Sequence, residues 1–496
     1  MAIDESKGAW WRELNRYHWY VLIISGLGWL FDTMDQQLFV LARESSVNNV
    51  IGIVPFERNE NGSLKRDQKN LPIKRELTKD EKAKSKEYGS YATAIFLVGW
   101  ATGGLVFGLF GDRLGRARTM MITILIYSAF TGLSAIAVGW WDFAIYRFLT
   151  GMGVGGEFAA GVALVAEVMP ARARPYALGL LQALSAIGNM MAAIITLVIK
   201  PGVIYMTWGE GIDSVPILGW RFVYLIGILP SLLLLFIRSK LKEPDSWQAA
   251  KAAKEKGTDD ATKQLGDMSE MFRDPTLRFH AIIGVLLAMS GVMILWGAAF
   301  FVPELIRNHL GITKTEDKEW YASIGMFLQN LGSFFGVYCF SQVAPKFGRR
   351  PAFAISYLLA FSAVVLVFGF MTKPSQVYWM MPIMGFCVLM VFGGYAIYFP
   401  ELFPTRLRST GTGFCYNVAR YLTAFGPMLL PTFSALYLSS EPTRNKTGLA
   451  SFTLLSSLGG SDATFRYATI TVAMVAFVGL ITIAFAPETK GKPLQQ

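Results

Sequence analysis

Two aspartates, Asp32 and Asp35, stand three residues apart in a stretch, 18–42, that holds no other acidic residue, lysine or arginine. A helix places both on one face. Two like charges that close, held out of water, repel each other, and binding a proton relieves the repulsion. A carboxyl that takes up and releases protons is what proton coupling requires. The alternative is that both aspartates are simply solvated through a water-filled cavity. Arg147 and Glu157 lie in a second apolar run, 142–166. Along a helix their separation is about 15 Å, too far for them to pair with each other. Each therefore needs another partner, and Asp32 or Asp35 is available for Arg147, in a coupling network or in a fixed ion pair. Glu157 follows Gly155-Gly156 and reads either as a second proton site or as a packing lock.

Arg420 is the candidate anion anchor. It sits inside the run 409–436 beside Tyr416, Asn417 and Tyr421. A guanidinium keeps its charge and grips a carboxylate through two parallel hydrogen bonds. The alternative is a salt bridge to another helix, with Glu304 available. Asn417, Tyr91, Gln182 and Gln329 are the accompanying substrate-binding candidates. Like Asn189 and Asn330, each serves equally well as an interhelical hydrogen bond. No catalytic constellation competes with these groups. His18, His280 and His309 are scattered, and Cys339, Cys387 and Cys415 lie in apolar runs without metal-ligand spacing. No phosphate-binding loop of nucleotidase spacing is present, and the glycines from Gly151 to Gly156 fall inside a helical run. We expect no enzyme, no cofactor and no metal.

The elements that must position these groups are membrane helices. Apolar residues make up 53% of the chain, and uncharged runs of about 20 residues suit a bilayer core. Twelve such runs are read: 18–42, 87–110, 118–138, 142–166, 175–199, 218–237, 277–306, 319–343, 352–371, 377–400, 409–436 and 463–486. The net charge of +11 does not mark a nucleic-acid surface, because it is confined to alternate short loops: Arg113, Arg116 and Arg118; Arg172 and Arg174; Lys346, Arg349 and Arg350; Arg406 and Arg408. This is the pattern of positive loops facing the cytoplasm. It places both termini on the inner side of the plasma (inner) membrane. Residues 1–17 are mixed polar and do not read as a cleavable signal. The charged segment 44–88 is expected as an outer loop, either decoration or a gate; 437–462 is a second outer loop.

The chain is also duplicated. Glu167-Val-Met-Pro170-Ala-Arg172-Ala-Arg174 returns as Glu401-Leu-Phe-Pro404-Thr-Arg406-Leu-Arg408, and each copy follows a run containing Gly-Gly. Ser25-Gly26 matches Ser290-Gly291 at a larger offset, so the first half holds the extra outer segment. We expect an all-α membrane protein of two pseudo-symmetric six-helix bundles, residues 1–237 and 277–496, joined by a solvated inner linker, 238–276.

The segment Gly108-Leu-Phe-Gly-Asp112-Arg113-Leu-Gly115-Arg116-Ala-Arg118 resembles the loop between helices 2 and 3 of the major facilitator superfamily. Pro345-Lys-Phe-Gly348-Arg349-Arg350 is a weaker copy that lacks the aspartate. Arg147 to Glu157 resembles that superfamily's fourth helix. Phe31-Asp32-x-x-Asp35, Gly155-Gly156-Glu157-Phe158 and the Glu401 motif are similar to the metabolite:H⁺ and sialate-type organic acid symporters. The resemblance implies alternating access and proton-coupled uptake of a small organic acid, by a protein working as a monomer. It also implies an inner latch. Asp112 and Arg116 would face the start of helix 11 near Ser409-Thr410. Glu167 with Arg172 or Arg174, and Glu401 with Arg406 or Arg408, would form related latches. A proton-coupled sugar or polyol porter, a passive uniporter and a sensor of transporter fold remain as alternatives.

Overall fold

The first helix begins at Asn15, whose Oδ1 accepts from the His18 N–H at 2.8 Å. The second begins at Thr78, where side chain and backbone exchange bonds with Glu81 at 3.2 and 2.9 Å. These caps satisfy otherwise orphaned N–H groups. They also shorten the outer segment expected over 44–88. Helix α1 (Arg16–Val50) runs past its apolar stretch, and α2 (Lys79–Leu114) starts before its own. The computed structural model describes the chain except residues 1–8, 54–55, 58, 60–64, 66–72, 74, 76, 200–202, 207–214, 233–240, 256–264, 424–432, 434–460, 493 and 495–496. The outer loop 437–462 and the ends of runs 218–237 and 409–436 therefore lie largely outside the described residues.

The first bundle continues with α3 (Arg116–Ser134), α4 (Trp140–Val168), α5 (Arg174–Val198) and α6 (Gly219–Ile226, extended by a 3-10 turn at Leu229–Leu232). The second holds α7 (Pro275–Gly297, carried on through Val302–His309), α8 (Thr315–Phe347), α9 (Arg349–Phe370), α10 (Val377–Leu402), α11 (Arg408–Thr423) and α12 (Ser461–Ala473 with Ala476–Phe485). By length and composition alone, seven helical segments among the described residues suffice to cross a membrane. The remaining spans are shorter or more polar and complete the bundles. Among the described residues, a short antiparallel hairpin between α5 and α6, β1 (Val203–Met206) with β2 (Val215–Leu218), departs from the all-helical plan.

Packing repeats between the halves. In the first, α4 packs on α2 and α3, and α5 on α1; in the second, α10 packs on α8 and α9, and α11 on α7. The halves meet along two seams, α2 with α11 and α5 with α8. Glycines allow the helices to approach this closely. A Cβ at Gly103 or Gly155 would overlap the backbone of Met152 or Trp100, and one at Gly336 or Gly385 that of Phe386 or Gln329.

The duplication extends to the helix ends. The Glu243 carboxylate accepts from the Ala117 and Arg118 N–H groups at 3.2 and 3.1 Å, capping α3. Glu488 does the same for Arg349 and Arg350 on α9, at 3.0 and 3.1 Å. At the opposite ends, Arg221 donates to the carbonyls of Ala135 and Ala137, and Arg466 to those of Phe368 and Met371. An anion at each N-terminus and a cation at each C-terminus complement the helix dipoles.

The linker expected to be solvated is partly docked. It forms helices Asp245–Glu255 and Met268–Arg273, and it buries Trp247, Leu265 and Met271. An apolar side chain gains about 1.5–3 kcal/mol by leaving water, which explains why this segment does not stay free.

Overpacking a helix seam costs about 1–3 kcal/mol. Gly103→Val and Gly336→Val should each lower the thermal unfolding midpoint of purified protein. Gly369→Ala, whose added methyl would only touch Val365 at 4.0 Å, should leave it unchanged.

Candidate functional site

Charged groups inside the first bundle form two separate pairs. Asp32, on α1, and Glu157, on α4, face each other within hydrogen-bonding contact. Gly28, one turn before Asp32, leaves the notch that Glu157 occupies, since a Cβ there would overlap its Oε1. Both carboxyls are buried, and neither Asp32 oxygen nor Glu157 Oε2 accepts a hydrogen bond from a protein donor. Tyr127, on α3, stands beside them.

Asp35 looks elsewhere. Its Oδ2 accepts from Thr131 at 2.8 Å, and Arg147 is its charged neighbour. Arg147 is fully buried. It donates to Ser134 at 2.6 and 3.1 Å and to Thr150 at 3.2 Å, and it lies over the Tyr224 and Phe39 rings at 4.8 and 5.4 Å. Asp35 and Arg147 are not in ion-pair contact; Asp35 Oδ1 and Arg147 Nη1 are both left without partners. Thus Asp32 opposes Glu157 rather than its own neighbour Asp35. The i, i+3 spacing aligns the two aspartates on one side of α1, but different helices answer them.

Arg420 lies on α11 at the seam with α2. Its Nη1 donates to Asn417 Oδ1 at 2.5 Å, and Asn417 Nδ2 in turn donates to the Gly413 carbonyl at 2.7 Å. Trp100, from α2, and Tyr416 cover the guanidinium at 3.9 and 4.1 Å from their ring centroids. Phe158, from α4, stacks on Tyr416 at 4.5 Å and meets Trp29, from α1, at 4.7 Å. Among the described residues no carboxylate is within ion-pair distance of Arg420, and Glu304, the alternative partner, is exposed on the short helix after α7. An ionised side chain near mid-membrane costs about 2.5–3.5 kcal/mol on insertion scales. The rings and the amide offset part of that and leave the formal charge unbalanced.

The other substrate-binding candidates divide. Asn417 touches Arg420. Gln182, on α5, is buried with its Oε1 unpartnered. Gln329, on α8, is half-buried and packs through its backbone against Gly385. Tyr91 does not join the centre. It is half exposed at the end of the bundle away from the basic turns, donates to Glu87 at 2.8 Å, and lines an open groove of about 570 Å³ with Lys84, Tyr88, Trp140 and Trp141. It sits in the first turns of the early-starting α2, well above the level of Trp100.

At the basic end of the bundles lies a closed charge network. Asp112 accepts from the Ser409 and Thr410 N–H groups at 3.2 and 2.8 Å, capping α11 from the other half. Arg116 bridges Asp112 and Glu167, both at 3.0 Å, and Arg408 bridges Glu167 at 2.9 Å. These side chains are essentially inaccessible. The docked linker joins in, with Trp247 donating to the Asp112 carbonyl at 2.7 Å.

The pairings expected within each motif copy are not the ones formed. Arg172 bridges Glu13 at 2.8 Å, because the turn after Pro170 carries it to the N-terminal segment. Arg406 bridges Glu270 of the linker at 2.6 Å. Glu401 takes Arg349 at 2.7 Å and Thr489 at 2.5 Å. Arg116 with Glu167 and Arg349 with Glu401 are therefore the symmetric pairs, and Arg408 alone crosses to the other half's glutamate. At the position equivalent to Asp112 the second half has Pro345, so no matching carboxylate caps α5. Trp100, Tyr127 and Trp247 were not singled out from sequence, and Tyr416 and Phe158 entered only as neighbours of Arg420 and Glu157; aromatic residues in apolar runs look like any other packing group there.

Glu167→Gln would leave Arg116 and Arg408 side by side without their shared counter-charge. Removing one member of a buried ion network costs about 3–5 kcal/mol. The thermal midpoint should fall well below that of Glu87→Gln, which alters only an exposed bond to Tyr91.

Comparison with known proteins agrees with this architecture. The family model of the Major Facilitator Superfamily matches residues 71–427. A putative metabolite transport protein of Haemophilus influenzae is 29% identical over 80% of this chain and 86% of its own. The cis,cis-muconate transport protein of Acinetobacter baylyi is 28% identical over 67% of this chain and 75% of its own. The sialic acid transporter NanX of Escherichia coli is 29% identical over 68% and 75%. Among solved structures, the proton:xylose symporter XylE superposes with a TM-score of 0.67 at 17% identity, covering 96% of this chain and 98% of that one. The human organic anion transporter MFSD10 gives 0.62 at 14%, covering 95% and 100%. The protein is a transporter and not an enzyme, an integral multi-pass membrane protein of twelve helices, and it belongs to the major facilitator superfamily.

Proposed function

We propose that this protein carries a small organic acid inward together with protons by alternating access. Arg420 carries the reading: a buried cation at the seam between the halves, with no carboxylate within ion-pair distance among the described residues, invites one from the substrate. Relatives named for muconate and sialic acid support an acid. The Asp32–Glu157 pair is the proton site. Two carboxyls in contact, away from water and without a cation, are held together by a shared proton. Asp35 and Arg147 form a second, balanced unit that tunes the first bundle.

In the cycle, an outside proton loads the carboxyl pair and the substrate docks on Arg420. With both charges neutralised, the bundles rock and the network around Asp112, Glu167 and Arg408 parts on the cytoplasmic side. This reading puts the basic end and both termini in the cytoplasm, in the plasma membrane, with the monomer as the working unit. A monoanion carried with one proton moves no net charge and draws only on the pH gradient. Each further proton would add about 2.3 kcal/mol per 100 mV. The fold likeness to a xylose symporter favours one rival, a proton-coupled sugar porter in which Arg420 is structural.

Proteoliposome uptake across an inward proton gradient tests the proposal. Organic acids should be concentrated, neutral sugars should not, and a protonophore should abolish the accumulation. Asp32→Asn or Glu157→Gln should cut concentrative uptake by about tenfold or more while leaving counterflow exchange. Arg420→Ala should remove both. Sugar uptake alone would overturn the acid reading, and gradient-independent entry would overturn the coupling.

A further inference from the structure

We infer that the groove beside Tyr91 docks a phospholipid whose headgroup carries both a phosphate and a primary ammonium. It lies outside the central site. Its walls are Lys84, Tyr88, Tyr91 and Ile95 of α2 with Trp140 and Trp141 of α4. Their polarity is graded along α2. At 1.5 Å per residue, Tyr88 lies about 6 Å from Lys84 and Ile95 about 16 Å. A cation thus comes first, then a belt of rings, then aliphatic groups. Tyr88 holds the belt together, meeting Trp140 edge-on at 4.8 Å and Tyr91 at 6.0 Å.

A bilayer leaflet has the same order on the same scale. Headgroups about 5–7 Å deep cover hydrocarbon about 15 Å deep, and Tyr and Trp are enriched where the two meet. The protein surface past the groove is aliphatic, with Val98 on α2 43% exposed and Ile145 on α4 55% exposed. In a multi-pass membrane protein such a surface needs an apolar cover. Acyl chains supply it.

The headgroup follows from two charges. Lys84 and Glu87 stand three residues apart, on one side of α2. Both are exposed, and among the described residues neither is in an ion pair. Glu81, also a turn from Lys84, is taken by Arg75 at 2.6 Å. Lys84 lies instead 5.9 Å from the Tyr88 ring centroid. Glu87 gives Oε1 to the Tyr91 hydroxyl and keeps its second oxygen for another donor. A phosphate answers the lysine, and an ammonium answers the glutamate. A purely anionic headgroup would be repelled by Glu87. A trimethylated one has no N–H to donate to it.

Native mass spectrometry of the delipidated full chain reads the preference. The probes are dioleoyl phosphatidylethanolamine, phosphatidylcholine and phosphatidylglycerol in equal amounts, which share their chains and differ in the head. Phosphatidylethanolamine should be retained about tenfold better than either rival. Lys84→Gln and Glu87→Gln should each abolish that preference while leaving the lipid-free thermal midpoint unchanged. Ala94→Trp, which fills the groove and alters no charge, should abolish it too. Equal retention of the three lipids, or phosphatidylglycerol retained best, would overturn the proposal. A preference that survives all three substitutions would place the lipid elsewhere and overturn it as well. Displacement by an equal concentration of glycerophosphoethanolamine, the head without chains, would overturn the groove as the docking element.

Discussion

Charge inside a membrane bundle has to be answered within a few ångströms, because no bulk water is there to answer it. The network at the basic end shows the constraint satisfied: Asp112 and Glu167 face Arg116 and Arg408, two acids against two bases, with a helix N-terminus donating to both Asp112 oxygens and Ser246 to the second Glu167 oxygen. The centre shows it deliberately unsatisfied. Among the described residues, Arg420 has rings and an amide but no anion, and Asp32 with Glu157 has two acids and no base. A transporter of charged solutes needs both conditions, since balanced charges hold one state together and unbalanced ones create affinity for what is carried.

The helix plan was legible because membrane spans are written as long apolar runs and because the halves repeat. The repeat of Glu167 and Glu401 announced a duplicated architecture. Which arginine each would meet was not legible. Arg172 and Arg406 are near in sequence, but the turns after Pro170 and Pro404 deliver them to Glu13 and Glu270. Arg116, Arg349 and Arg408 arrive from distant segments. Local spacing carries no information about such long-range meetings.

The central groups divide in the same way. Asp32, Glu157, Arg147 and Arg420 stood out because a charge in an apolar run is rare. Trp100 did not, and Tyr416 entered only as a sequence neighbour of Arg420, because their role depends on facing a cation and not on their type. Tyr91 misled for the converse reason. A hydroxyl inside an apolar run reads as a cavity group, yet α2 starts early and places it on an exposed rim away from the central groups. The linker misled through composition, since its lysines conceal Trp247 and Met271, which are buried.

The crossing of Arg408 to Glu167 also bears on how the chain is made. The partners are 241 residues apart. At the pace of synthesis, on the order of 5–20 residues per second, Glu167 waits tens of seconds for Arg408 to emerge. During that interval the newly inserted first half has Arg116 alone to balance Asp112 and Glu167. Biogenesis thus leaves the buried Asp112–Arg116–Glu167 cluster one cation short in the unfinished bundle, and the eleventh helix supplies it on arrival. Assembly of the two halves is in this sense an act of neutralisation, completed only when the second copy of the motif leaves the ribosome.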